Sequence, residues 1–341
     1  MTDRERKHKT MVHRMALLVV LLIWPLIWVG GLVTTYDAGM SVPDWPNTYG
    51  YNLLLYPYKT WLLGPFDLFI EHGHRLLGIL VGIAAIGFVV ASFWSEQRRW
   101  VQGLSIVTLL LVIVQGGLGG IRVLLSDRVF AMIHGSTAPI VFATAVGAAV
   151  VTGRWWQRIG DRRIGQGGDA QAAPSASSDG PPSVPKGTLA IILCLTLICY
   201  AQLVLGAKIR HLQPDDSPTW FLYTVWAHVI VACAIGILTL VAWYRLRKSG
   251  DLAIRRPGVI LVGLTAVQVI LGIVTWVVNY NWPRFLQWLP GTNGHLIVSK
   301  DLVDAMLVTG HVATGPLILA AAVVIGLRLL RLQFLSRHSV S

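Results

Sequence analysis

Eight apolar runs separated by short polar stretches organise this chain of 341 residues. They fall at roughly 15–35, 69–93, 102–124, 129–152, 187–209, 219–243, 257–279 and 303–327. Each is close to the ~20 residues a helix needs to cross the hydrocarbon core of a bilayer. The pattern predicts an all-α integral membrane protein with eight transmembrane helices. Pro25, Pro139 and Pro316 lie inside predicted spans, where neighbouring helices can satisfy the backbone groups that proline frees.

Composition agrees: 54% of residues are apolar and 13% charged, against about 25% charged in a soluble domain. The net charge of +12 would suit a nucleic-acid binder, but its distribution points elsewhere. Lys and Arg concentrate in the N-terminal tail, the 94–101 loop, the 153–187 segment, the 244–256 loop and the C-terminal tail. The alternate loops hold few. That is the positive-inside pattern with both termini cytoplasmic, so the basic excess sets topology and no nucleic-acid partner is expected. The first span is too long for a signal-peptide h-region and has no Ala-x-Ala-like site before Gly30. The short tail before it contains Asp3 and Glu5, unlike a mitochondrial transit peptide. A bacterial inner membrane is the expected location. Cys194, Cys199 and Cys233 lie within spans and read as small buried apolar residues.

The chain divides into a cytoplasmic tail (1–14), a first four-helix bundle (15–152), a Gly-, Ala-, Ser- and Pro-rich segment (153–187) read as a flexible cytoplasmic linker, and a second bundle with its tail (188–341). The bundles repeat one another. His74 matches His228 and Gln115 matches Gln268. His134-Gly-Ser-Thr137-Ala-Pro139 matches His311-Val-Ala-Thr314-Gly-Pro316. With four helices per repeat, both halves insert with the same orientation, which predicts two pseudo-symmetric bundles related by an axis along the membrane normal. All four histidines then lie near the start of outward-to-inward spans, in the outer half of the bilayer.

Ionisable residues inside a membrane are costly and mark functional sites. Two imidazoles on facing helices of one bundle suit a six-coordinate haem iron. The readings set against haem are a structural polar network and another metal. Zinc is disfavoured, since each half offers two ligands and no cysteine at ligand spacing. Glu71 lies one helical turn before His74, on the same face. It is either a proton-handling carboxylate or a favourable charge near a helix N-terminus. The second half has Val225 in its place. His72 rivals His74, but the repeat selects His74. His8, His13, His211, His295 and His338 fall in tails or loops and need no role. Gln115 and Gln268 read as interhelical hydrogen-bond donors. Gly116-Gly117-Leu118-Gly119-Gly120 lacks the ending of a nucleotide loop and instead permits close approach. Arg75, Arg122, Lys208 and Arg210 either pair with ligand carboxylates or snorkel. The outer loop 36–68 is long enough to act as a lid.

Gly30-Gly31-Leu32-Val33 with the Gly-Met-Ser…Asp-Trp-Pro loop, Glu71-x-x-His74-Arg75, Gln115-Gly-Gly-Leu-Gly119, His134, His228 and Thr309-Gly310-His311 together resemble the haem A synthase family of cytochrome oxidase assembly. The resemblance covers nearly the whole length. It implies oxidation of a methyl group of haem O to the formyl group of haem A. It also implies that His74 and His134 ligate the substrate haem, His228 and His311 ligate a haem b cofactor, and Glu71 is catalytic. A haem O synthase and oxidase assembly factors are the implied partners. One departure is plain: many bacterial members carry cysteine pairs in the outer loops, and the 36–68 and 210–218 loops here have none. Two other readings are carried beside this one. One is a di-haem b electron-transfer cytochrome without haem-modifying activity. The other is a transporter or channel with a histidine proton relay, against which the lack of an inverted repeat weighs.

Overall fold

A computed structural model describes residues 3–164, 184–212, 217–283 and 301–337. Among these residues the secondary structure is helical: α1 (Asp3–Thr35), α2 (Tyr58–Leu62), α3 (Phe66–Ser95), α4 (Arg99–Leu125), α5 (Arg128–Thr152), α6 (Arg154–Ile164), α7 (Thr188–Arg210), α8 (Pro218–Leu246), α9 (Leu252–Tyr280) and α10 (Leu302–Arg337). Eight of them are long and apolar enough to cross a membrane, one for each predicted run. The outward faces carry Leu21, Ile83, Ile113, Leu197, Ile230 and Ile270, each more than half exposed. Such a surface is a liability in water and is matched by lipid. The chain is a multi-pass membrane protein.

Local chemistry sets the boundaries. Ser126 ends α4 in the left-handed conformation, and the Asp127 side chain accepts from Phe130 N at 3.0 Å to start α5. Asp251 starts α9 in the same way, accepting from Ala253 N at 2.7 Å. Each cap satisfies an orphan donor of the first turn. The connection between α4 and α5 is therefore two residues long and the helices are antiparallel.

Two segments differ from the sequence expectation. The tail expected over 1–14 is helical from Asp3, because its Arg, Glu and Lys residues are good helix formers continuous with the span. The linker expected over 153–187 begins as helix α6. Trp155 donates its Nε1–H to Asp251 at 2.8 Å and stacks under Arg328, while Trp156 sits under Arg331. These contacts order a stretch whose composition alone reads as linker. Residues 165–183, as well as His295 and His338, lie outside the described residues.

In the first half α1 and α4 each pack on α3 and α5; in the second, α7 and α9 each pack on α8 and α10. The halves meet where α10 packs on α5 and α1 and where α5 packs on α7. Each half has its own apolar core, built around Val19, Ala85, Phe88 and Ala148 in one and Ile192, Leu246, Leu261 and Ile325 in the other. Both cores occupy the same end of their bundles. The four histidines lie toward the opposite end, near the starts of α3, α5, α8 and α10.

Candidate functional site

Each of the four intramembrane histidines faces a glycine on the neighbouring helix. A Cβ added to Gly30 would lie 2.9 Å from the His74 ring, one on Gly119 3.1 Å from His134, one on Gly206 3.4 Å from His228 and one on Gly272 3.0 Å from His311. Four residues before three of these glycines stands a glutamine. Gln115 Nε2 donates to the His134 carbonyl at 2.7 Å, Gln202 to that of His228 at 3.0 Å and Gln268 to that of His311 at 3.0 Å. The backbone carbonyls of Gln115 and Gln268 accept from Nδ1 of His134 and His311 at 3.1 and 3.2 Å. An Nδ1–H fixed on a carbonyl leaves the Nε2 lone pair free to bind a metal. The fourth unit, Leu26-x-x-x-Gly30, has no side-chain amide. Nδ1 of His74 and of His228 is buried without a hydrogen-bond partner.

Within each half the two rings face one another. The His74 and His134 centroids are 6.4 Å apart with planes at 82°, and those of His228 and His311 are 6.3 Å apart at 64°. Two metal–imidazole bonds of ~2 Å, plus about 1.1 Å from Nε2 to the ring centre on each side, span about 6.2 Å in line. Among the described residues no group of three or more His, Cys, Asp or Glu converges, so each pair offers two ligands and no third. The donor sets fit a group that brings its own equatorial ring, as a porphyrin does.

The first clamp differs from the second in what surrounds it. Glu71 is 2% exposed and lies well inside α3, whose N-cap is Pro65, so it is not a capping charge. Its carboxylate accepts from Val42 N at 2.9 Å and from Arg75 at 2.9 Å. Arg75 in turn donates to the carbonyls of Val42 (2.7 Å), Asp44 (2.7 Å) and Asn47 (2.9 Å). Arg122 donates to the Gly39 carbonyl at 3.1 Å and interacts electrostatically with Glu71. The outer loop thus folds down onto the first clamp and is fastened there by two arginines. Trp45 lies flat on Gly120, where a Cβ would come within 2.4 Å of the indole. The glycine run therefore serves two contacts at once: Gly119 admits His134 and Gly120 admits Trp45.

His72, the rival of His74, turns away from the clamp. It is 1% exposed, meets Thr48 Oγ1 at 3.1 Å and sits between the rings of Tyr56 and Trp61, 5.2 and 5.1 Å away. It anchors the loop. Of the arginines, neither Arg75 nor Arg122 snorkels. Lys208 stacks on Trp220 at 5.3 Å. His211, given no role by the sequence, lies within 4.0 Å of a Gly135 Cβ, beside His134. Burial keeps its pKa below the usual histidine value, and the positive charges of Arg210, Arg122 and Arg128 act the same way. All three cysteines are free. Gln202, Gly206 and Gly272 were not singled out from the sequence, and Gly30 and Gly119 were noted only within glycine runs, although Gln-x-x-x-Gly at 115, 202 and 268 is a readable signal.

Fold and site define a polytopic helical membrane protein with two bis-imidazole clamps, one of them beside a buried carboxylate. The chain belongs to the cytochrome oxidase assembly protein family (COX15-CtaA), whose model matches residues 13–215. The match takes in Glu71, His74, Gln115 and His134 and ends before His228. No curated protein matches the chain. Membership gives the protein a role in cytochrome oxidase assembly, and its eight membrane-spanning helices place it in a bilayer.

Proposed function

We propose that this protein is a haem A synthase, an oxidoreductase that converts a methyl group of haem O to the formyl group of haem A. The observation that carries the reading is the inequality of the two clamps. Both present paired imidazoles at nearly the same spacing, but among the described residues only the first has a buried acid, Glu71, one turn from a clamp histidine. In this reading His74 and His134 hold the substrate haem O through its iron. Glu71 accepts and returns protons as the methyl group is oxidised in steps. Arg75 and the closed outer loop hold the carboxylate still and keep water out. His228 and His311 hold a haem b, which supplies one-electron transfer when bound. Their bundle is pseudo-symmetric with the first, and its Val225 in place of Glu71 equips it to carry a cofactor without reacting with it. The protein sits in a bacterial inner membrane with both termini cytoplasmic, where a haem O synthase and oxidase assembly factors are its expected partners.

Expression with a haem O supply, followed by analysis of extracted haems, tests the proposal. Haem A or its hydroxymethyl precursor is expected from the wild type. Glu71→Gln is expected to retain haem while product falls by about 10²-fold or more, the usual scale for a proton-transfer residue. The near-identical ring spacings favour a second reading, a di-haem b electron-transfer cytochrome. A folded, haem-loaded wild type that yields no haem A would establish that reading in place of the first.

A further inference from the structure

Arg210, the last residue of α7, is a buried cation with an unanswered donor. Its Nη2 reaches across to the other half, donating to the Gly31 carbonyl at 2.6 Å and to Thr35 Oγ1 at 2.5 Å on α1. Its Nη1 is inaccessible to solvent and has no hydrogen-bond partner. No ion pair to Arg210 occurs among the described residues, where the salt bridges are Arg75–Glu71 and Arg98–Glu96. A guanidinium taken out of water without a counter-charge costs several kcal/mol. Lipid does not lower that cost, and a side chain that merely snorkelled would present its donors to the interface.

The position of Arg210 indicates what answers it. Its charge interacts with His311. It hydrogen-bonds Gly31, and a Cβ there would lie 2.8 Å from Thr309, two residues before His311. Thr35, which it also holds, meets Thr309 Oγ1 at 3.3 Å. The guanidinium therefore sits at the seam between the halves, against the rim of the second clamp. The first clamp has Arg122 as its cation, but Arg122 already interacts with Glu71. The second clamp has no acid at the equivalent place, only Val225. A planar fork with one free nitrogen is suited to a carboxylate.

We infer that Arg210 binds a carboxylate of the ligand held between His228 and His311. This rests on the haem reading of that clamp, and the carboxylate is then a haem propionate. The anchored group would touch a residue that is itself bonded to α1. Filling the second site would thereby tighten the seam against the first half, and Arg210 is both an anion anchor and a tie between the two sites.

Membranes holding the wild-type chain, Arg210→Gln, Arg210→Lys and His311→Ala are to be compared in two assays. Pyridine haemochrome counts and a redox titration come first. His311→Ala is expected to lose one haem; if it retains both, the haem reading of the clamp fails and the inference falls with it. Where His311→Ala behaves as expected, Arg210→Gln should lower the midpoint potential of that same haem, because a nearby positive charge favours the added electron and its loss leaves the propionate charge to stabilise the oxidised iron. Arg210→Lys should restore most of the shift. The second assay adds haem b or its dimethyl ester to protein made without haem. The wild type should prefer the free acid by at least about tenfold at the second site, the scale of one charged hydrogen bond, and Arg210→Gln should lose the preference. Should Arg210→Gln fail to fold, the wild-type preference and Arg210→Lys decide. Equal binding of acid and ester by the wild type overturns the inference.

Discussion

At the scale of single residues the site is built from absent side chains as much as from present ones. Gly30, Gly119 and Gly272 each leave room for an imidazole that a methyl group would displace. Overpacking of this kind costs about 1–3 kcal/mol, so Gly30→Ala and Gly272→Ala should weaken ligand binding at their own clamp by about 5- to 150-fold and leave the other clamp filled. Gly206 differs, since its added Cβ would stand at ordinary contact, 3.4 Å. On the proposed haem reading, Gly206→Ala should keep the haem of its clamp, and thermal stability should rise by up to about 1 kcal/mol from the better helix former. Haem content and the thermal midpoint of the three variants check this; loss of haem from Gly206→Ala alone would contradict it. The histidines were legible in the sequence because an ionisable group in an apolar run is an anomaly. Their glycine partners were not, because which glycine meets which ring depends on helix rotation, and a membrane helix that is apolar on every side gives no periodicity from which to read that rotation. Glu71 was half legible. Its register with His74 was plain, but only the fold shows that it binds Val42 and Arg75 and is no cap.

At the scale of elements the outer loop behaves as one fastened unit. Within it the Asp44 carboxylate accepts from Tyr49 N at 2.8 Å and Gly50 N at 2.7 Å. Partial burial acts to raise its pKa, but these two N–H groups, with the charge of Arg75, hold it below the usual carboxylate value. A carboxylate whose pKa is depressed by folding stabilises the closed loop above its unfolded value of about 3.9, and that contribution fades as pH falls through the folded value. The loop should therefore stay closed from pH 8 to pH 5 and loosen below about pH 4. Amide exchange over residues 44–51, corrected for the intrinsic pH dependence, follows this directly. Asp44→Asn should exchange at neutral pH as the wild type does in acid, and a wild-type profile unchanged down to pH 3 would rule the mechanism out. That the loop covers the first clamp was legible from its length and its place in the topology. That Arg75 is the fastening was not, because a side chain bonding three backbone carbonyls leaves no mark in sequence beyond its own identity. Helix α6 was missed for a related reason: its order comes from Asp251, Arg328 and Arg331, all distant in the chain.

At the scale of the molecule, the repeat in the sequence leads to an expectation of two bundles, and what the fold adds is the packing between the two halves of the chain. This seam is fastened at both ends. Near the clamps, Arg210 bonds α1 and Thr35 meets Thr309. Midway, Trp24 Nε1 donates to the Ala313 carbonyl at 3.1 Å, two residues beyond His311. At the far end Trp155 of α6 bonds Asp251 and stacks under Arg328. None of these pairs joins equivalent positions of the two repeats, so internal homology could not have revealed them. Between the fastenings α10 packs along α1 and α5, and five-sixths or more of each of Ala313, Ile318, Ala320 and Ala322 is covered. In lipid, apolar contact alone gives little drive to hold helices together, and polar bonds across the seam count for correspondingly more. The covalent connection between the halves is then dispensable for their association. A single proteolytic cut of the purified protein within residues 165–183 should leave both fragments co-eluting in mild detergent with both haems retained. Trp24→Phe together with Trp155→Phe, which removes two of the cross-seam bonds at ~1 kcal/mol each, should release a fraction of the fragments after the same cut. Wild-type fragments that separate at once would show that the covalent connection, and not the seam, holds the two sites in register.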